Sequence, residues 1–490
     1  MRILQVSAEI FPLLKTGGLA DIAGALPAAL QEAGCDVRLL LPGFPAICAG
    51  LVGAEPVGQV RMSWGLSVEV VRGELPSLAR AGNKVMAYVL MAPSLYDRPG
   101  NPYESADKVA YADNHRRFAA LGLVAAHIAH GLDAAWWPQV VHCHDWHAAL
   151  APASLALWNE GKGPRVPSVY TVHNLAYQGI FGPEVFGDLG LPAKAFSVNG
   201  MEFYGQLSFM KAGLYYASRI TTVSPTYARE IQSAEQGCGL DGLLRARSPY
   251  VSGILNAVDD TVWNSEADPL IRHPYSVKNM AGKAANKAAL QAEMGLAPRP
   301  DALLFTVVSR LTEQKGLPLV LAALDEILAR GGQLLVLGNG ERGLEQAFTD
   351  KALAHPGHIA VKLGYDETLA HRIFAGSDVT LVPSRFEPCG LTQMYGLKYG
   401  SLPLVRRVGG LADTVVDADL ETLADHTATG FVFDAFDELS YRRAVRRAFA
   451  LHQRPLEWLH VRETGMRKDF DWAAAAAQYA ALYRQLIDAA

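Results

Sequence analysis

Cysteine is scarce in this chain: five in 490 residues, Cys35, Cys48, Cys143, Cys238 and Cys389, an odd number without CxxC spacing. That argues against a disulfide framework and a thiolate zinc site, and fits a reducing cytoplasm. Excess charge of either sign is also lacking. The 44 Lys plus Arg stand against 49 Asp plus Glu, a formal net charge of -5, which offers no basic footprint for nucleic acid. Any anion site must therefore be local. No uninterrupted apolar run reaches the ~18 residues of a membrane span. The first residues enter a strand pattern directly, with no basic segment and apolar signal core before it. The expectation is a soluble, cytoplasmic protein with neither membrane nor nucleic acid as partner. An elbow-type Ser-His-Asp order, HExxH and a Walker Lys-Ser/Thr are absent, so hydrolase and NTPase chemistry lose ground. No internal repeat, low-complexity tract or long charge run interrupts the chain.

Half of the residues are hydrophobic, and the length suits two to three domains of about 100–200 residues each. Short β-branched or Leu-rich runs alternate with amphipathic stretches, the grammar of βα units and parallel sheets. The fold class read from this is α/β, with two doubly wound, Rossmann-like domains. Strands are expected at Val37–Leu41, Val85–Leu90, Val140–His144, Ser168–His173, Arg219–Val223 and Tyr250–Leu255, the fifth followed by a helix with Ser224 as N-cap and Pro225 at its first position. A polar, Pro-bearing stretch from Asn256 to about Asn279 has neither period and marks a boundary. Beyond it the pattern restarts with helix Ala281–Leu296, strand Leu303–Val308 and helix Gly316–Arg330, closed by Gly331-Gly332. Strands Gln333–Leu337, Ile359–Leu363, Asp378–Val382 and Leu402–Val408 follow. The domains are thus expected at 1–255 and 256–465, with a last helix at 466–490 whose stripe of Trp472, Ala476, Tyr479, Leu482, Tyr483 and Leu486 buries against protein, on the N-terminal domain.

Open parallel sheets bind ligands beyond the carboxyl ends of their strands, so polar residues at strand exits carry the most information. After the first strand-like run comes Lys15-Thr16-Gly17-Gly18-Leu19-Ala20-Asp21. Two glycines let backbone N–H groups approach an anion, a helix N-terminus adds positive dipole, and Lys15 supplies a full charge. In the second half, Arg310 and Lys315 follow the strand ending at Val308-Ser309, at the start of a helix. The strand Asp378–Val382 exits into Pro383-Ser384-Arg385-Phe386-Glu387-Pro388-Cys389-Gly390-Leu391-Thr392. There Glu387 is either a first-turn dipole partner or an acceptor for sugar hydroxyls, while Gly390 and Leu391 offer backbone N–H groups. His142, His144 and His147 alternate along a strand and into a helix, which favours hydrogen-bonding or packing roles over a shared metal. His173-Asn174 stands at a further strand exit, positioned for a sugar contact.

KTGGLAD at 15–21, HCHDWHAALAP at 142–152, YTVHNLAYQGIF at 170–181, SRLTEQKG at 309–316, SRFEPCGLTQMYGLKYG at 384–400 and RRVGGLADTV at 406–415 together resemble the bacterial glycogen synthase and plant starch synthase family. The resemblance covers nearly the whole chain. It implies the glycosyltransferase-B fold, two Rossmann-like domains facing across a cleft, and a retaining α-1,4-glucosyltransferase that moves glucose from ADP-glucose to an α-1,4-glucan or glycogen acceptor. No metal or other cofactor is implied. By matching position, the resemblance gives catalytic roles to Lys15, His173, Arg310, Lys315 and Glu387. It gives substrate-binding roles to Gly18, Asp21, Tyr96, Asp145, Asn174, Asn256, Tyr365, Cys389, Gly390, Leu391 and Thr392. The broader superfamily often carries a second glutamate eight positions after the first, where this chain has Tyr395. Two rivals share the general architecture: a glucan phosphorylase, which needs pyridoxal phosphate on a lysine, and a glucan-binding protein without transfer chemistry.

Overall fold

The computed structural model describes residues 1–80, 82–158 and 165–489. These fall into two compact units: Met1–Ala257 together with Trp472–Ala490, and Val258–Asp471.

The first unit is built on nine strands: β1 (Arg2–Val6), β2 (Asp36–Pro42), β3 (Val52–Arg61), β4 (Ser67–Glu74), β5 (Met86–Met91), β6 (Val140–His144), β7 (Ser168–Val172), β11 (Arg219–Thr222) and β12 (Val251–Gly253); the intervening β8 (Ile180–Phe181), β9 (Glu202–Phe203) and β10 (Gln206–Ser208) make a small separate sheet. The large sheet runs β12-β11-β7-β6-β1-β2-β5-β4-β3. Its central strands are parallel and buried along their length, which is why they carry apolar residues on both faces, with Gln5, His142, His144 and Thr171 buried among them. Only β4 pairs antiparallel, with β3 and β5. The β3–β4 hairpin has no counterpart among the expected strands. β3 contains Gly53, Pro56 and Gly58 and is mostly exposed, and proline in a sheet is confined to edges such as this one.

Ser224 caps helix Pro225–Glu230 by accepting the Tyr227 N–H at 3.0 Å. The last helix, Trp472–Asp488, packs on helix Gly18–Glu32 and on β6. Its Trp472, Ala476, Tyr479, Tyr483 and Leu486 are buried, and Tyr483 bonds to His142 of β6 at 2.7 Å.

The second unit has six strands: β13 (Leu304–Val308), β14 (Gln333–Gly338), β15 (Ile359–Leu363), β16 (Val379–Val382), β17 (Leu402–Arg406) and β18 (Phe431–Phe433), in the order β15-β14-β13-β16-β17-β18 and parallel throughout. Counted within the unit this is 3-2-1-4-5-6, the doubly wound order. The stretch expected as one helix from Gly316 to Arg330 forms two short ones, Leu317–Ala322 and Leu324–Ala329, joined at Ala323. Leu317, Val320 and Leu324 on the expected face are buried, with Ile327, against Phe305, Val307 and Val336. No helix among the described residues is long and apolar enough to cross a membrane.

Candidate active site

In the second unit the strand order reverses between β13 and β16, and a crevice opens at such a switch beyond the strand ends. Both exits carry the expected residues. Lys315, in the turn after β13, forms an ion pair with Glu387, in the loop after β16, with Nζ to Oε2 at 2.6 Å. The Lys315 side chain is 19 % exposed and that of Glu387 8 %. Ser384 donates its hydroxyl to the same carboxylate oxygen at 2.9 Å, so Glu387 is fixed from two sides. Arg310 is exposed just past β13 and reaches Gln314 at 3.4 Å. Thr392, opening helix Thr392–Lys398, contacts the Val308 carbonyl at the end of β13 at 3.4 Å.

Glycine holds these loops close to each other. Gly316 has φ +72°, and a Cβ there would stand 1.9 Å from the Pro383 carbonyl oxygen; at Gly409, with φ +44°, a Cβ would stand 1.9 Å from that of Glu387. The Gly410 N–H donates to the carbonyls of Glu387 and Pro388, each at 3.2 Å. The RRVGGLADTV motif therefore buttresses the Glu387 loop. Cys389 is buried at 4 % exposure, and Gln393 ties down the Cys389 and Gly390 carbonyls at 3.0 and 2.8 Å. Gly390, at φ +73°, turns the chain so that Leu391 and Thr392 open the helix. Tyr365 lies two strands out from β13, after β15, and is 68 % exposed.

In the first unit the order reverses between β1 and β6. Glu9 follows β1 with its side chain almost fully buried, and its carboxylate accepts the Thr16 N–H and hydroxyl, the Tyr103 hydroxyl and, at 3.3 Å, the Gly17 N–H. The anion that the Thr16 and Gly17 amides meet in this structure is thus a carboxylate of the protein itself. Of the two glycine amides expected to approach an external anion, that of Gly17 is therefore directed at Glu9 in this structure. Gly17 is in extended backbone, and a Cβ there would meet nothing within 4 Å, so packing does not demand glycine at this point. Lys15 pairs with Asp21 at 2.9 Å, both about one-fifth exposed.

Past β6, Asp145 takes φ +56°, rare for a residue with a side chain, and its buried carboxylate accepts the His173 N–H at 2.7 Å and that of Asn174 at 3.5 Å. Burial raises this carboxyl to about 7, against the lowering effect of the two N–H bonds. His144 Nδ1 meets His173 Nε2 at 3.0 Å. His142 is held between Tyr483 and Thr171 at 2.7 and 2.6 Å, and His147 stacks on Tyr103 with ring centroids 4.8 Å apart. Burial depresses the imidazoles: His142, His147 and His173 lie at about 3 and His144 well below its ordinary value. Asn174 accepts the Ala176 N–H at 3.0 Å and so shapes its own turn. Asn256, 7 % exposed, follows β12. Tyr96, in the short helix after β5, is 1 % exposed, and its hydroxyl donates to the Arg117 carbonyl at 2.7 Å; packed in the core, its side chain presents no face to substrate in this structure.

Glu9, Tyr103, His144 and Ser384 were missed as site residues. Glu9 and His144 stand at the ends of β1 and β6, so position at a strand exit was the signal available for both. Tyr103 lies in an irregular loop and gives no such signal.

A family model described as the starch synthase catalytic domain matches residues 2–246, and one for glycosyl transferases group 1 matches residues 295–458. The chain is 63 % identical over 493 residues to the glycogen synthase of Variovorax paradoxus (strain S110), covering 100 % of both. It is 59 % identical to that of Leptothrix cholodnii, covering 99 % of this chain and 100 % of the relative. Among solved structures, the catalytic domain of starch synthase IV from Arabidopsis thaliana, bound to ADP and acarbose, superposes with a TM-score of 0.88 at 30 % identity, over 99 % of each chain. With both units carrying the glycosyltransferase-B type of parallel α/β sheet, and with identity of this order along its full length, the chain belongs to the glycogen synthase and starch synthase family.

Proposed function

We propose that this enzyme transfers glucose from ADP-glucose to the non-reducing end of an α-1,4-glucan with retention of configuration, releasing ADP. The observation that carries the reading is the Lys315–Glu387 ion pair beside Arg310 at the switch point of a doubly wound sheet.

Breaking the glucose–diphosphate bond leaves negative charge on ADP and oxocarbenium character on the sugar. Arg310 and Lys315 hold the diphosphate and stabilise the departing charge, which is where preorganised cations are worth most. Lys315 begins neutralised by Glu387. As charge builds on the leaving oxygen, Lys315 turns its attraction to it, and Glu387, still held by Ser384, faces the positive sugar with its own charge less cancelled. Both effects are stronger in the transition state than in the ground state, as catalysis requires. Cys389, Gly390, Leu391 and Thr392 line the donor side through backbone groups, Tyr365 completes it, and Asn256 of the first unit is a further donor contact.

From the first unit, Lys15 and Gly18 meet the donor, with Asp21 holding the Lys15 ammonium in place. Asp145 fixes the His173–Asn174 peptide through its two N–H bonds, so the His173 carbonyl points away from Asp145, as a trans peptide demands. That carbonyl eases positive charge on the reacting sugar, and Asn174 contacts its hydroxyls. The acceptor O4 attacks on the face the diphosphate leaves, its proton passing to the departing phosphate oxygen.

The test is a panel of ADP-, UDP- and GDP-glucose against one labelled maltooligosaccharide. ADP release with lengthening of the acceptor is expected. Absence of elongation with every donor across pH and acceptor length would overturn the reading.

A further inference from the structure

The chain enters the second unit at Val258, and the irregular segment up to Met280 is seated by its side chains on two helices, Glu367–Gly376 and Thr392–Lys398, and on Tyr399 beyond the second. Asp260 pairs with Lys398 at 2.7 Å. The Trp263 ring lies between two others, 3.8 Å from His371 at 11° on one face and 3.8 Å from Tyr395 at 12° on the other. Asp268 accepts the Tyr399 hydroxyl at 2.6 Å and meets His371 Nδ1 at 2.7 Å. Tyr275 donates its hydroxyl to the Tyr399 carbonyl at 2.7 Å. Trp263 is 5 % exposed and Asp268 3 %, so this contact is closed to solvent.

Its place makes it more than packing. Tyr395 is the residue found where the wider superfamily carries a second glutamate, and here its ring is given to Trp263. The N-terminal end of the same helix carries Gly390, Leu391 and Thr392, directly after Glu387. A seven-residue helix is a rod about 10 Å long, so a slide or rotation at Tyr395 reaches Thr392 undiminished. Thr392 in turn touches the end of β13.

We propose that Trp263 is a positioning residue for glucosyl transfer: stacked between His371 and Tyr395, it sets helix Thr392–Lys398 so that the Glu387–Thr392 loop meets the donor correctly. This rests on the function proposed above. Trp263 touches no substrate and acts through Tyr395.

The test uses the full chain, with steady-state kinetics at a temperature where circular dichroism shows every variant folded. Trp263→Ala should lower kcat/KM for ADP-glucose by about tenfold to a hundredfold, the scale of a small misplacement of catalytic groups. The loss should lie in kcat and in the donor KM, with the acceptor KM unchanged. Trp263→Phe, which can still stack, should restore most of it. Tyr395→Leu, at a half-buried position, should reproduce the loss and serves if Trp263→Ala does not fold. Trp458→Ala, at another buried tryptophan of the same unit, should lower stability while leaving both kinetic constants alone. Wild-type kcat and donor KM in Tyr395→Leu would overturn the proposal, as would a loss that Trp458→Ala shares or that phenylalanine does not rescue. If the wild type itself transfers no glucose, the functional reading falls. The clasp is then read by ADP calorimetry, where weaker binding by Tyr395→Leu supports it and unchanged binding overturns it.

Discussion

Lowering the pH from about 7 to about 5.5 should weaken the first unit through imidazoles buried at its strand exits. His142, His144 and His147 are closed to solvent, and burial puts His142 and His147 at about 3 and His144 well below its ordinary value. Unfolded, each returns to about 6.5. The unfolded chain then binds protons that the folded chain refuses, so stability fully present above the unfolded value is lost as the pH falls toward the folded one. Over this window His142 and His147 each cost about 1 kcal/mol, and His144 acts in the same direction. Asp145 acts in the opposite sense. Its carboxyl lies at about 7 when folded, against about 3.9 for an ordinary aspartate, so the folded state takes up a proton that the unfolded state does not hold, a gain on the order of 1 kcal/mol. His173 shares the low value, but solvent reaches part of its ring, so it adds less than the others. With three buried imidazoles against one carboxyl, the net expectation is a loss on the order of 1 kcal/mol. Urea unfolding followed by tryptophan fluorescence at the two pH values measures it, in the wild type and in His142→Gln. Glutamine can still bond to Tyr483 and Thr171 but cannot titrate, so the variant's acid loss should be smaller by about 1 kcal/mol. An identical pH dependence in the two proteins would refute a neutral, buried His142.

Three substitutions probe the second unit. Lys315→Ala should lower turnover by about 10²-fold or more, as when one preorganised donor to developing charge is removed; wild-type turnover with weaker acceptor binding alone would reject that role. Glu387→Gln is expected to keep the fold and most ADP affinity while depressing transfer, because it changes charge more than shape, and calorimetry showing ADP binding abolished would mean that Glu387 serves the nucleotide instead. Gly316→Ala combines a positive φ with a Cβ 1.9 Å from the Pro383 carbonyl oxygen. It should cost at least several kcal/mol, on the scale of backbone strain plus overpacking, and an unchanged melting temperature would contradict the close approach of these two turns.

The parallel strands were legible because burial on both faces leaves an unbroken apolar run between polar exits. Gln333–Gly338, with Leu-Leu-Val-Leu at its centre, needed nothing more, whereas Val140–His144 is interrupted by His142 and His144. The β3–β4 hairpin was not legible, for the matching reason: at an edge, Val52–Arg61 can keep Gly53, Pro56 and Gly58 and face solvent, and the pairing of β4 to β5 that seats the hairpin is decided by packing against neighbours. The helix expected at Gly316–Arg330 had the right buried face, yet nothing in its apolar spacing signals the join at Ala323. The final aromatic stripe was readable as a buried face. Its polar partner was not, because the Tyr483–His142 bond spans 341 residues.

The same distinction separates what the motifs said about the site from what they left out. Residue type and strand exit together singled out Lys315, Arg310 and Glu387, but left Glu387 open between a dipole partner and a sugar acceptor, and the roles came from the resemblance. Which charges neutralise which could not be read so. Lys315 finds Glu387 across 72 residues, and the Thr16 and Gly17 amides find Glu9 rather than an external anion. A glycine-rich loop seen in sequence records only that backbone must come close to something. At Gly316 and Gly409 that something is the carbonyl of another motif, at 1.9 Å from where a Cβ would be, whereas at Gly17 no atom lies within 4 Å. Packing therefore accounts for the first two glycines and not for the third. The open space in front of Gly17, beside Lys15, is where an alanine should leave stability untouched and still weaken the donor. A Gly17→Ala variant with unchanged melting temperature and a raised donor KM would assign that glycine to the ligand, and unchanged kinetics would remove it from the site.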